Sequence, residues 1–375
     1  MNGEQGSESD SPEAVPVRAR RAAVVGTGLI GGSIGMALRA RGWHVTGRDA
    51  NPESAERALQ AGALDAIGCD PDAEVTFVAT PVGAVVAEAR SVLDQAGLAA
   101  DAVVTDVAGV KVPVVAQVDD PRFVGGHPMA GSEQTGIDGA DAELFSGATW
   151  VLTPVAGTDP DAYALLRSVV AMVGAEVVAL SPGQHDALVA VVSHVPHLAA
   201  ATLMNLAERV STEHAALLRL AAGGFRDMTR VAAGEPSIWP DVCIANSAAI
   251  VATLDALVAD LEEVRSRVAR QDRAGLFAML GQAASARRVL PASAGTPDEL
   301  AEVRVPVPDR PGVIAEITTM AGDMGVNIFD LEIAHSVEGD RGVMVLVVDS
   351  RDAESLHDAL AARGFRPTAG FLERP

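Results

Sequence analysis

From Arg21 the chain alternates short apolar runs with glycine turns and helical stretches. Ala22 to Val25 is an apolar run ending at Gly26, Leu29 to Leu38 repeats its apolar positions at helical spacing, and His44 to Gly47 reads as a second strand closed by Asp49. Strand, glycine turn, helix and strand make one βαβ unit. The alternation continues in "EVTFVAT" (74–80), "DAVVTDV" (101–107) and "RFVGG" (122–126), strand candidates with helical segments between several of them. That pattern predicts a Rossmann-like α/β domain with a parallel, doubly wound sheet over residues 21–180.

The pattern changes at Ser181. "DALVAVVSHVPHLAAATLMNLAERV", "IWPDVCIANSAAIVATLDALVADLEEVRSRVAR" and "GLFAMLGQAASARRVL" keep a helical period with almost no strand signal, and the second is too apolar on one side for a lone surface helix. An all-α domain over 181–290 that also forms a homodimer is expected. "PASAGTPDEL" (291–300) is a linker by its Pro, Ala, Gly and Ser content. Residues 301–375 then alternate strand, helix, two strands, helix and strand, which predicts a small, separate βαββαβ domain.

Residues 1–20 are polar, acidic and then basic, and lack the apolar segment of a signal peptide, so a disordered tail is expected. No stretch reaches membrane-spanning length without breakers or charges, which predicts a cytoplasmic protein with no membrane partner. With 375 residues, 49% of them hydrophobic, the chain is long enough for two or three cores. A net charge of −22 disfavours nucleic acid, whose phosphates it would repel. A small-molecule partner fits better. Cys69 and Cys243 stand far apart, which is too few for a disulfide scaffold or a zinc site and fits a reducing compartment. Lys111 is the only lysine, a bias that a GC-rich genome would explain.

Chemistry concentrates in four places. "GTGLIG" supplies Gly26, Gly28 and Gly31, with Leu29 and Ile30 opening the helix, and has Asp49 eighteen positions after Gly31. Glycines there allow the tight turn and the approach of a pyrophosphate to a helix N-terminus. Asp49 would accept ribose hydroxyls and repel a 2′-phosphate, which favours NAD, while Arg48 beside it leaves an NADP reading open. Thr80 and Pro81, ending the next strand, complete the cofactor-binding set. "GGHPMAGSE" (125–133) reads as loop chemistry after a strand, with His127 either a chemical group or a loop histidine bonded to its neighbours. "SHVPH" (193–197) spaces His194 and His197 as a metal pair would, but nothing completes a site, so no metal is expected. "GGFRDMTRVAAGEPSIW" (223–239) offers Arg226 and Arg230, as a fork for a carboxylate or as intramolecular salt bridges.

In this order, "GTGLIGGSIG", "GGHPMAGSE", "HDALVAVVSHVPH" and "GGFRDMTRVAAGEPSIW" resemble the prephenate and arogenate dehydrogenase family of tyrosine biosynthesis, over roughly residues 21–370. "DRPGVIAEIT" and "GVNIFDL" resemble the first loop and second strand of an ACT domain. The resemblance implies NAD-dependent oxidative decarboxylation of prephenate to 4-hydroxyphenylpyruvate, with arogenate as the alternative substrate. It implies His127 as the catalytic group, a histidine titrating near neutral pH being suited to polarising the hydroxyl. Ser193, His197 and Arg230 would bind substrate, Glu133 would sit at the mouth of the site, and Trp239 would help wall it, across a subunit boundary in one arrangement. The family usually carries a serine where "DVAGVK" has Gly109, which puts the orientation of His127 in question. In the C-terminal domain Asp309, Pro311, Gly312 and Asn327 would form a regulatory site for an amino-acid effector, tyrosine first. A β-hydroxyacid dehydrogenase would need a lysine in the helical domain, where this chain has none. A non-enzymatic amino-acid sensor is the other reading, which intact His127, His197 and Arg230 oppose.

Overall fold

The computed structural model describes residues 19–132, 134–211, 222–288, 300–308, 310–335 and 341–371. They fall into two compact units, divided between Val251 and Ala252. The first opens with the expected unit of β1 (Arg21–Val25), α1 (Leu29–Arg39) and β2 (His44–Arg48). It continues with α2 (Pro52–Gln60), β3 (Ala66–Ile67), β4 (Val75–Val78), α3 (Val82–Leu93), β5 (Val103–Asp106), α4 (Val112–Val115) and β6 (Phe123–Pro128). Next come β7 (Thr149–Thr153), α5 (Pro160–Met172) and β8 (Glu176–Ala179). The eight strands form one sheet in the order β3-β2-β1-β4-β5-β6-β7-β8.

The sheet is parallel from β3 to β6, but β7 runs antiparallel to β6 and β8 parallel to β7, so it is not uniformly parallel. A parallel return needs a crossover, usually a helix. The connection from β6 to β7 holds only a short 3-10 turn, Ile137–Gly139, among its described residues, so β7 lies back against β6 in the opposite sense. The core behind the sheet packs Trp150 of β7 against Phe77 and Phe145, with ring centroids 6.2 and 5.0 Å apart.

The strand runs two residues further into the motif than expected, through His127 and Pro128. β6 runs through Gly125, Gly126 and His127 to Pro128, paired with β7 from Gly125↔Thr153 to Pro128↔Trp150. A Cβ on Gly126 would lie 2.7 Å from the carbonyl oxygen of Asp106, so this glycine serves close approach between strands rather than a turn.

After the sheet, α6 (Pro182–Val189), a π-turn (Ala190–His194) and α7 (Val195–Ser211) form one helical run. The π-turn replaces the simple helical turn expected of "SHVPH". Pro196 has no N–H to give the preceding turn, and the wider π spacing accommodates the loss. By length and mean hydropathy (1.6) the run Pro182–Val210 would suffice to cross a membrane, contrary to the sequence reading, yet His185, Asp186 and His194 are buried on it. Leu188, Val191 and Val192 on the same run are exposed.

The remaining helices are α8 (Gly223–Thr229), α9 (Trp239–Ala245) and α10 (Ser247–Ala269), with 3-10 turns at Arg230–Ala233 and Pro236–Ile238. The single long helix expected from Ile238 onward is broken at Asn246, whose side chain is spent on buried hydrogen bonds. The unit boundary falls inside α10.

The second unit continues with α11 (Arg273–Arg288) and then β9 (Leu300–Pro308), α12 (Val313–Asp323), β10 (Ile328–His335), β11 (Arg341–Asp349), α13 (Ser350–Ala362) and β12 (Thr368–Phe371). Its four strands form an antiparallel sheet in the order β10-β11-β9-β12. Val303, Val305, Ile317, Met344, Leu346, Leu356 and Leu360 make its core, so the βαββαβ pattern expected from sequence is the one found.

Candidate functional site

The carboxyl ends of β1, β4, β5 and β6 carry the candidate chemistry. The strand order reverses between β1 and β4, and in open α/β sheets ligands bind at such a switch point. Gly26 turns the chain there with φ +92°, and its carbonyl neighbour across the crevice is Ala79, 2.5 Å from where a Cβ would stand. α1 then starts at Leu29, Ile30 and Gly31 with Gly28 at its N-cap and no side chain capping it. Space above Gly28 is open. Free amides at a helix N-terminus favour an anion. Thr80, just before Pro81 at the start of α3, keeps a buried hydroxyl without a hydrogen-bond partner, the kind of orphaned group a ligand satisfies.

Asp49 follows β2. Its Oδ2 accepts from the Thr27 backbone N–H (2.7 Å) and hydroxyl (3.1 Å), and its Oδ1 from Asn51 N–H (2.9 Å). A carboxylate offers about four acceptor positions, so capacity for a ribose hydroxyl remains. Arg48 is engaged elsewhere, its Nη2 2.5 Å from Glu88 Oε2.

His127, half-buried near the end of β6, has its Nδ1 2.8 Å from Nε2 of His185 on α6, the rings edge to face at 74°. His185 Nδ1 lies 2.7 Å from Asp186 Oδ1. Asp186 in turn accepts the backbone N–H groups of Lys111 (2.7 Å) and Val112 (2.8 Å), which fastens α6 to the loop after β5. Lys111 is fully buried, ion-paired to Asp106 and donating to the Gly126 carbonyl at 2.7 Å. Burial, and then the charges of Lys111, His185 and His194, hold His127 well below the usual histidine range, so it is neutral at pH 7 and below. The near-neutral titration expected from sequence therefore does not hold.

A Cβ at Gly109 would stand 3.7 Å from both Cε1 and Nε2 of His127. The position that the family usually fills with serine thus does face the Cε1–Nε2 edge of the ring, and here glycine leaves that edge open.

On the helical side, Asn246 Nδ2 donates to the Asp186 carbonyl (2.9 Å) and faces His194 Nδ1 at 3.2 Å. Trp239 stands edge-on to His194 and stacks on His197, the rings 3.6 Å apart and 13° from parallel. Burial lowers His194 and His197, with Asp186 opposing the shift at His194. The structure thus joins His127, Trp239 and His197 through one chain of contacts within a single subunit. Ser193 lies half-buried in the π-turn, and Arg230 ends α8 in an exposed 3-10 turn that packs on α7. Glu133 and Asp309 lie outside the described residues. Pro311 and Asn327 are exposed, and Gly312 (φ +88°) is the N-cap of α12, which no side chain caps. No group of three metal-ligating residues exists among the described residues.

Sequence reasoning passed over His185, Asp186, Asn246 and the Lys111–Asp106 pair. The first histidine and aspartate of "HDALVAVVSHVPH" carry no spacing signal of their own, and the solitary lysine is the one available signal for the pair.

Three regions match described families: residues 34–179 match "Prephenate dehydrogenase, nucleotide-binding domain", 181–282 "Prephenate dehydrogenase, dimerization domain" and 301–365 "ACT domain". The chain is 33% identical over 342 residues to the prephenate dehydrogenase of Bacillus subtilis (strain 168), covering 88% of this chain and 92% of the relative. A crystal structure of prephenate dehydrogenase from A. aeolicus in complex with hydroxyphenyl propionate and NAD+ is similar at 29% identity and a TM-score of 0.68, covering 74% of this chain and 100% of that one. Synechocystis arogenate dehydrogenase is similar at 33% identity and a TM-score of 0.64, over 71% of this chain and 98% of that one. With the matched regions, their order and the site geometry agreeing along most of its length, the chain belongs to the prephenate dehydrogenase family.

Proposed function

We propose that the chain catalyses the NAD-dependent oxidative decarboxylation of prephenate to 4-hydroxyphenylpyruvate. The observation that carries this reading is a neutral His127 with an open Nε2 edge, at the carboxyl end of β6 in a sheet whose switch point is shaped for a dinucleotide. Gly26, Gly28 and the amides of Leu29, Ile30 and Gly31 would receive the pyrophosphate, Asp49 the ribose, and Thr80 a further polar contact. The pairing of Arg48 with Glu88 supports NAD over NADP, since that guanidinium is engaged away from a 2′-phosphate. When bound, NAD supplies the hydride acceptor. His127 accepts a hydrogen bond from the ring hydroxyl and stabilises the positive charge that develops on its oxygen as the hydride departs. Loss of the ring carboxylate as carbon dioxide then leaves an aromatic product, with no net proton change at the protein.

His197, held flat against Trp239, would meet the substrate's side chain, with Ser193 near it and Glu133 at the mouth. Arg230 would grip a carboxylate. Replacing it by lysine keeps the charge and loses the fork, so Arg230→Lys is expected to raise KM about tenfold or more with kcat close to native. Steady-state kinetics check this, and native kinetics with only a lowered Tm would reassign Arg230 to a structural salt bridge.

The deciding assay offers prephenate and arogenate separately, each with NAD and with NADP, and follows the reduced cofactor's absorbance. Turnover of prephenate with NAD is expected. Faster turnover of arogenate would make that the substrate, and none with either would sink the reading.

Two partners complete the proposal. A second copy of the chain covers the exposed apolar residues Leu188, Val191 and Val192. An amino acid, tyrosine first, binds the ACT domain at the uncapped start of α12 beside Pro311 and Gly312, with Asn327 offering a partner to its ammonium group. Tyrosine is expected to inhibit the full-length enzyme and to lose its effect on a form truncated after Leu290. Equal inhibition of an active truncated form would place tyrosine in the active site instead.

A further inference from the structure

Asp186 receives three N–H groups. Lys111 N–H and His185 Nδ1 converge on Oδ1, and Val112 N–H meets Oδ2. A carboxyl group with donors on both oxygens is an acceptor throughout, so His185 carries its proton on Nδ1 and gives it to Asp186. In a neutral ring that leaves the lone pair on Nε2, and Nε2 is the atom 2.8 Å from His127 Nδ1. His127 must then supply the hydrogen, which leaves its own lone pair on Nε2, the edge facing the open space at Gly109.

Resting on the reaction proposed above, we propose that His185 and Asp186 are positioning residues that fix His127 in the Nδ1–H tautomer, with Nε2 unprotonated toward the substrate hydroxyl. His185 is fully buried and Asp186 nearly so, and neither faces the open Nε2 edge. As the hydride leaves, the hydroxyl proton shifts toward Nε2 of His127. The imidazolium charge is stabilised through His185 by the Asp186 carboxylate, and the proton returns to the product's phenolic oxygen. The relay supplies what the open position at Gly109 does not, a partner that sets the ring's orientation, and it approaches from the opposite edge. Asn246 closes the arrangement from behind by holding the Asp186 carbonyl, its other hydrogen directed at His194 Nδ1. The charged and titratable groups around the ring are Lys111 with Asp106 from β5 and its loop, His185 and Asp186 from α6, and His194 from the π-turn.

The first test is made on the native protein. With histidine-selective ¹⁵N labelling, and the His127 signals assigned by their loss in His127→Ala, NMR at neutral pH is expected to show a protonated Nδ1 and an unprotonated Nε2 on His127. An Nε2–H tautomer overturns the proposal. The second test is kinetic. His185→Phe keeps the ring shape without an acceptor and is expected to lower kcat about 100-fold with KM within threefold of native, while His185→Gln, whose carbonyl oxygen accepts from His127 Nδ1, restores kcat to within about tenfold. The acid limb of the kcat–pH profile moves in the phenylalanine variant and stays in the glutamine variant. A His185→Phe enzyme with kcat within threefold of native overturns the relay, as does a loss confined to KM. Should that variant not fold, the tautomer measurement decides alone. If His127→Ala is inactive while His185→Phe is not, only the relay falls, whereas a native protein inactive on prephenate and arogenate sinks the reaction and leaves the tautomer still measurable.

Discussion

Replacing His127 with alanine is expected to lower turnover by about two to four orders of magnitude while NAD affinity stays close to native. The ring stands at the end of β6, whereas the turn and helix start that would hold the dinucleotide belong to β1 and α1, so the substitution removes the base without touching the pyrophosphate site. A variant keeping more than a tenth of native turnover would remove His127 from the chemistry. The pH dependence follows from the direction of its shift. In the proposed reaction the acting form is neutral, and burial with Lys111, His185 and His194 pushes protonation well below 6.5. The native kcat/KM is therefore expected to stay level as pH falls through 6.5 and to drop only in the more acid range. Stability behaves differently. Below about 6.5 the unfolded chain takes up protons at His127, His194 and His197 that the folded chain, with all three lowered, resists, so the stability these groups contribute is complete above the unfolded value and is lost as pH falls through the window beneath it.

Lys111→Met is expected to destabilise the first unit by about 3–5 kcal/mol, because it leaves the Asp106 carboxylate buried without its cation. Asp106 and Lys111 are both fully buried. Asp106 also accepts the N–H groups of Ala108 (3.0 Å) and Gly126 (3.2 Å), but these backbone dipoles do not replace a charge. The lysine's own proton is held less firmly than in water because burial lowers it, with the pairing to Asp106 opposing that shift. Removing both members is the control: Asp106→Leu with Lys111→Met should recover most of the loss, since an apolar pair of similar volume replaces a buried ion pair at little cost. Urea unfolding followed by the emission of Trp43 and Trp150 measures both. A single-variant loss under about 1 kcal/mol would show that the pair is not what ties β5 to β6. Turnover should fall with stability, because the lysine holds the carbonyl of Gly126, the residue before His127.

Local pattern in the sequence determined the βαβ opening, the change to helices at Ser181 and the βαββαβ domain. Each is written in residues close along the chain: Gly26, Gly28 and Gly31 after an apolar strand, or alternating valines from Val303 to Val307. The ordered motifs singled out His127 as a candidate, and the resemblance alone pointed to Gly109, on the loop after β5, as the position beside it. Tertiary structure alone decided the direction of β7, because the connection before it has no periodicity to read and only the neighbouring strand β6 sets its sense. It also decided what supports His127. His185 is 58 positions from it, and Asp186 is 75 positions from the Lys111 amide it accepts, separations across which spacing carries no information. The burial of Lys111 and the engagement of Arg48 by Glu88 belong to the same class. A charge's role depends on which groups folding brings within hydrogen-bond reach and on whether water is excluded there, and neither is written in the residues on either side of it.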